Sequence, residues 1–145
     1  MTHEQQMEAV VQASALFDEA GPFSLMIVDS IMALFRNEFC GRGELAERQQ
    51  KLSKHLSELL RVATEYNLAV VIMNQVMADP GAMAMFGPSI KPVGGHILAH
   101  AATTRIHLKK GRESNRLAKI FDSPSIPEGE AGFSITEGGI ADPTA

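Results

Sequence analysis

A chain of 145 residues with 45% hydrophobic and 21% charged content has the size and balance of a single globular α/β unit, and it contains no repeat or low-complexity stretch. A formal charge of −4 excludes a general attraction to polyanions, so any nucleic-acid contact has to come from a local basic cluster. The single cysteine, Cys40, excludes an internal disulfide and stands apart from the five histidines; Met1 to Gln5 lacks the charged and apolar regions of a signal peptide, no run of eighteen or more apolar residues occurs, and a reducing compartment, cytosol or nucleus, is expected.

Thr2 and Gln5 have the spacing of a capping box, and Met7, Val10, Val11 and Ala15 follow at helical intervals until Gly21-Pro22. A helix is predicted there. The apolar run Phe23-Ser24-Leu25-Met26-Ile27-Val28 lacks alternation, which predicts a parallel strand covered on both faces and ending at Asp29-Ser30. Phe35 to Gly43 mixes arginine, glycine and aromatic residues, so it reads as a loop after a short helical turn. From Glu44 a long helix is expected, with Leu45, Leu52, Leu56, Leu59 and Ala63 on one face, a Glu47–Lys51 pair outside, and an end at Asn67.

A second buried strand, Leu68-Ala69-Val70-Val71-Ile72-Met73, completes a βαβ unit whose right-handed crossover sets Asp29 and Gln75 on one rim. The stretch from Gln75 to His96 is rich in glycine and proline and poor in charge, too long for an ordinary connection, and therefore expected to be a functional loop. Thr104 to Leu108 and Arg116 to Phe121 alternate around the turn Lys110-Gly111-Arg112-Glu113-Ser114-Asn115, predicting a hairpin; a short strand, Phe133 to Thr136, ends at Gly138-Gly139. One sheet is expected, parallel first and antiparallel last.

An aspartate at the end of a buried strand is what nucleoside triphosphatases use to hold the water shell of Mg²⁺, although a strand that merely ends at a polar residue looks the same. No G-x-x-x-x-G-K-[ST] occurs in these residues, so nothing here wraps a triphosphate with backbone N–H groups.

Asp29-Ser30-Ile31-Met32-Ala33-Leu34-Phe35-Arg36 and Gly41-Arg42-Gly43-Glu44-Leu45-Ala46-Glu47-Arg48-Gln49-Gln50-Lys51-Leu52 closely resemble the eukaryotic RecA-type DNA strand-exchange recombinases. The resemblance continues through Asn74-Gln75, Ala78-Asp79-Pro80-Gly81-Ala82, Pro92-Val93-Gly94-Gly95-His96-Ile97-Leu98-Ala99-His100-Ala101 and Asp122-Ser123-Pro124. The 44–52 and 78–82 stretches look like the meiotic paralogue rather than the ubiquitous one. The resemblance implies the C-terminal part of a RecA-like P-loop ATPase core, residues 1–145 forming one domain with a parallel βαβ sheet that ends in an antiparallel hairpin. The Walker A half and an N-terminal helical domain lie upstream in such proteins.

The same resemblance implies ATP and Mg²⁺ as cofactors, with Asp29 approaching the metal through water and Asp29 and Gln75 in the catalytic set. Ser30, Gln75, His100, Asp122, Ser123 and Pro124 are implied at the nucleotide; the last three cap that of a neighbouring subunit. For His100, a helix histidine with no such role is as good a reading from the residues. Residues 35–43 and 76–95 are implied to be two DNA-binding loops. Arg36, Arg42 and Arg48 are the expected phosphate contacts, because guanidinium groups stay charged and fork onto phosphate oxygens. Val76, Met77 and Pro80, with Met83 and Met85, offer apolar wedges; Lys91 adds charge, and Gly94 and Gly95 add backbone N–H groups.

Lys109, Lys110, Arg112, Arg116 and Lys119 make the hairpin basic, either to guide duplex DNA or as an ordinary solvated face. The sequence departs from the family pattern in keeping one lysine in Ser89-Ile90-Lys91-Pro92, in Phe121 for the usual tyrosine, and in a turn lacking glycine after Arg112. The expected activity is ATP-dependent strand exchange in meiotic homologous recombination in the nucleus. Its partners are single- and double-stranded DNA and other recombinase subunits, in a helical filament or rings; the alternative is a non-catalytic chain that docks on a full-length recombinase. Without the upstream strands, an exposed sheet edge and poor stability are expected.

Overall fold

The computed structural model describes residues 1–39, 41, 43–78 and 90–143, without the side chains of Ala78 and Ile90. It divides into two compact units, Met1–Ala101 and Ala102–Ala145. In the first, Thr2 caps helix α1 (His3–Ala20): its hydroxyl accepts from Gln5 N–H at 3.2 Å while the Gln5 side chain accepts from Thr2 N–H at 2.8 Å. This capping box satisfies two backbone donors and contributes about 1 kcal/mol. The helix stops at Gly21, where φ is +92°. Its inner face runs through His3, Met7, Val10 and Phe17 rather than the expected Val11, which is half exposed.

Strand β1 (Leu25–Val28) pairs in parallel with β2 (Ala69–Ile72), Leu25 opposite Ala69 and Val28 opposite Ile72. The crossover contains α2 (Ala33–Glu38) and α3 (Leu45–Glu65). Phe35, read from sequence as the start of a loop, is a fully buried helical residue of α2. On α3 the buried face is Leu52, His55, Leu56, Leu59 and Val62; Leu45 falls outside it at the solvent-facing N-terminus, and Ala63 is half-buried. The Glu47–Lys51 pair is present at 3.3 Å. Asn67 ends α3 as expected: it takes φ +50°, and Leu68 N–H reaches back to Ala63 O at 3.1 Å, satisfying an otherwise orphaned helix carbonyl.

The two strands are not covered on both faces. Met26, Val28, Val70 and Ile72 turn toward the core, whereas Leu25, Ile27 and Val71 are 50%, 61% and 43% exposed. Burial on one face alone gives the alternation that the apolar run concealed. Beyond β2, the loop expected from Gln75 to His96 has a base of its own. Strand β3 (Val76–Ala78) pairs antiparallel with β4 (Ile90–Pro92), and α4 (Gly95–Ala101) follows.

The second unit is a four-stranded antiparallel sheet in sequential order: β5 (Arg105–Lys110), β6 (Asn115–Asp122), β7 (Gly129–Thr136) and β8 (Gly139–Ala141). The predicted hairpin is β5–β6. Strand β7 starts four residues before the expected Phe133, and β8 is an addition. Within the first unit the described strands pair as β1–β2 and β3–β4, and within the second as β5–β6–β7–β8. No helix among the described residues is long and apolar enough to cross a membrane.

Candidate functional site

Parallel pairing in register brings the C-terminal ends of β1 and β2 to the same rim. Asp29 and Ser30, joined by a cis peptide bond, leave β1; Asn74 and Gln75 leave β2. Hydrogen bonds lock the exits together: Met73 N–H donates to Val28 O at 2.9 Å, and Ile31 N–H donates to Met73 O at 3.0 Å. Behind them Ile31, Met32 and Phe35 are buried, so the rim rests on packed core.

Asp29 is exposed and makes no ion pair or hydrogen bond among the described residues. The Ser30 hydroxyl is buried without a partner, an unsatisfied polar atom next to an open carboxylate. Both border a groove of about 400 Å³ whose other walls include Gln6 and Val10 of α1 and Ala33 of α2. A carboxylate reachable by water beside a spare hydroxyl fits a hydrated divalent cation, the chemistry expected of Asp29. The triphosphate-wrapping loop is not among these residues.

Gln75 faces α2. Its amide oxygen lies 3.5 Å from Arg36 Nη1, so an expected phosphate contact and the expected nucleotide sensor meet on the rim. The β3–β4 hairpin is tied down at the same place: Val93 N–H donates to Gln75 O at 2.9 Å, and Asn74 Nδ2 donates to Val93 O at 2.7 Å. Sequence reasoning gave Asn74 no role; a polar residue one step beyond a buried strand, facing a loop that must return, is the only signal it offered. Val76, Met77 and Lys91 lie on the exposed hairpin, Met77 opposite Lys91. Arg42 and Pro80, with Met83 and Met85, lie outside the described residues.

Gly94 and Gly95 have φ of +101° and +64°. A Cβ on Gly94 would sit 2.2 Å from Leu98 Cδ1 and 3.3 Å from Met32 Sδ, so any side chain there requires the buried Leu98 to shift as well as a positive φ. Arg48 is half-buried in the first turn of α3. His100 lies near the end of α4, exposed and stacked on His96 with centroids 6.3 Å apart.

In the second unit, Asp122 ends β6 and pairs with Arg105 at 3.6 Å, while Arg105 covers the Phe121 ring at 4.5 Å. Ser123 Oγ accepts from Ser125 N–H at 3.4 Å and Ile126 N–H at 3.3 Å, building the turn that carries exposed Pro124. Among the basic hairpin residues, Lys109, Lys110 and Arg112 are exposed. Arg116 donates to Glu113 O and Asn115 O, and Lys119 meets Glu128 at 3.6 Å.

Residues 1–143 match the Rad51 family, and the chain belongs to it. It is 60% identical over 143 residues to the human meiotic recombination protein DMC1/LIM15 homolog, covering 97% of this chain and 42% of that protein. It is 54% identical over 141 residues to the meiotic recombination protein DMC1 homolog of Lilium longiflorum, covering 97% of this chain and 40% of that protein. It is 56% identical over 144 residues to meiotic recombination protein DLH1 of Candida albicans, covering 98% and 44%. The chain thus spans about two-fifths of the length of the curated relatives it matches. The resemblance drawn from the sequence motifs is borne out at the level of the family and of its meiotic members.

Proposed function

We propose that this chain is the C-terminal part of the ATPase core of a meiotic recombinase, acting in ATP-dependent strand exchange on single- and double-stranded DNA. It would work in the nucleus, inside a helical filament or ring with other recombinase subunits. The observation that carries this reading is the shared rim: Asp29 and Ser30 leave one strand, Gln75 the next, and Arg36 and the β3–β4 hairpin meet there. A group that senses nucleotide and groups that grip DNA then share hydrogen bonds, so the state of one biases the other. Bound Mg²⁺ would neutralise phosphate charge, with Asp29 holding its water shell and Ser30 beside it. The chain's own residues do the rest: Arg36, with Arg42 and Arg48, binds phosphates, and Asn74 and Val93 orient the hairpin. Asp122, Ser123 and Pro124 would reach a neighbouring subunit's nucleotide.

The test is the salt dependence of single-stranded oligonucleotide binding by fluorescence anisotropy. Arg36→Ala is expected to weaken binding and to lower the log–log salt slope by about 0.7, the value for one phosphate contact on a single strand. An unchanged affinity and slope would remove Arg36 from the interface. A second reading, a non-catalytic chain that docks on a full-length recombinase, is favoured by the bare apolar face of Leu25, Ile27 and Val71. ATP hydrolysis by the purified chain, with and without single-stranded DNA, separates the two.

A further inference from the structure

Three side chains that the rim does not use sit together where α1 crosses α2 and α3. His55 of α3 is fully buried; its Nε2 lies 3.1 Å from the Gln6 side-chain amide of α1, and its Nδ1 is buried without a partner. His3 of α1 is 4% exposed, and its ring shares Phe35 with His55, at centroid distances of 5.4 and 6.0 Å. Gln6 is also a wall of the groove that runs to Asp29 and Ser30, with Met1, Ala9 and Val10 from the same helix segment. The contact that seats α1 therefore also sets one side of that groove.

We propose that the His55–Gln6 contact is an acid-release latch: protonation of His55 unseats the first turns of α1 and opens the groove beside Asp29 and Ser30. The chemistry is in the donor count. A neutral imidazole has one N–H and one lone pair, and the Gln6 amide satisfies whichever its orientation matches. As placed, the Gln6 NH2 donates to Nε2 and the neutral ring's N–H lies on the unpartnered Nδ1; an imidazolium has two N–H donors and no acceptor, so its new Nε2–H faces the Gln6 NH2 and the contact becomes repulsive inside an apolar core. Water is the available remedy, and the helix beside it must move to admit water.

Burial pushes the His55 imidazole below its ordinary value, against a smaller opposite pull from Glu58. The sign follows. A base whose folded value lies below its unfolded one supports the folded state at neutral pH, and that support is lost as pH falls from the unfolded value toward the lowered one. The charged groups around the latch do not reverse this. Glu58 is engaged by Arg61 at 2.6 Å, and Lys51 of α3 lies over Phe39 at 5.3 Å and reaches Glu47 and Glu4 at 3.3 and 3.9 Å. Glu38 of α2 accepts from the His3 backbone N–H and holds its Nδ1, each at 2.5 Å.

Amide hydrogen exchange of the 145-residue chain, corrected for intrinsic rates and followed from about pH 7.5 to about pH 5.5 across the histidine range, tests the latch. The first turns of α1 are expected to lose protection by up to about tenfold per pH unit, the limit for uptake of one proton, while α3 amides at 55–62 keep theirs. His55→Gln is expected to abolish the pH response, and His3→Gln to leave it in place. Loss of protection in α1 and α3 together, or a response that persists in His55→Gln, would overturn the proposal. Should His55→Gln fail to fold, the ring resonances of His55 in the native chain decide: α1 amide shifts that follow the ring's titration curve support the latch, and a curve the α1 amides do not share refutes it.

Discussion

Adding one methyl group at Gly94 tests whether the base of the β3–β4 hairpin is held by packing. In Gly94→Ala the new Cβ would lie 2.2 Å from Leu98 Cδ1, 3.2 Å from Leu98 Cγ and 3.3 Å from Met32 Sδ. Leu98 and Met32 are 6% and 1% exposed, so neither can swing into solvent. Two costs add: a side chain forced into positive φ, about 1–2 kcal/mol, and an overpacked core, about 1–3 kcal/mol. The expected loss is therefore about 2–5 kcal/mol. Gly95→Ala isolates the first cost, since φ there is +64° and nothing lies within 4 Å. It is expected to lose only about 1–2 kcal/mol. Urea unfolding of both variants under identical conditions measures the difference, and equal losses would refute the packing argument. Both variants keep the backbone N–H, so an added effect of Gly94→Ala on DNA affinity reports displacement of the hairpin base rather than a lost donor.

Other elements give independent checks. Glu38 holds its carboxyl below the ordinary range: burial pushes it up, but the backbone N–H and ring of His3 and the charge of Lys51 outweigh this. Its contribution is present above the unfolded carboxylate value and fades as pH falls through the lowered one, so Glu38→Gln is expected to flatten the acid limb of the stability profile; an unchanged limb contradicts the contact. Thr2→Ala removes one half of the capping box and is expected to cost about 1 kcal/mol in the same unfolding assay, with no change meaning that the first turn frays regardless. Ile27→Lys replaces a side chain that is 61% exposed on the bare strand face. It is expected to leave stability within about 0.5 kcal/mol while reducing self-association in size-exclusion chromatography; a collapse in stability would mean that the face is covered.

Local chemistry made some elements legible in advance. Thr2 with Gln5 marked a helix start, Asn67 a helix stop, and two apolar runs of strand length separated by a helical period marked a parallel pair ending at a common rim. Burial was less legible. A continuous apolar run such as Leu25 to Val28 suits a strand covered on both faces, yet which faces are covered depends on what packs there, and here one face of Ile27 and Val71 is open. Polar residues inside the core were missed for the same reason. Sequence reasoning assigned nothing to His55 or His3; tertiary packing sets Phe35, Gln6 and Glu38 around them. At the rim, Asp29, Arg36 and Gln75 were named from motifs, while Asn74 owes its role to a loop that returns across β2 to Val93.

The measurement that bears most directly on the shared rim is amide hydrogen exchange across the whole chain with and without a single-stranded oligonucleotide. New protection is expected at residues 29–39, 75–78 and 90–95, where the two strand exits, α2 and the base of the hairpin meet, with α3 amides at 52–62 unchanged. Protection confined to the β5–β6 hairpin at residues 109–119, with the rim exchanging as before, would contradict the account.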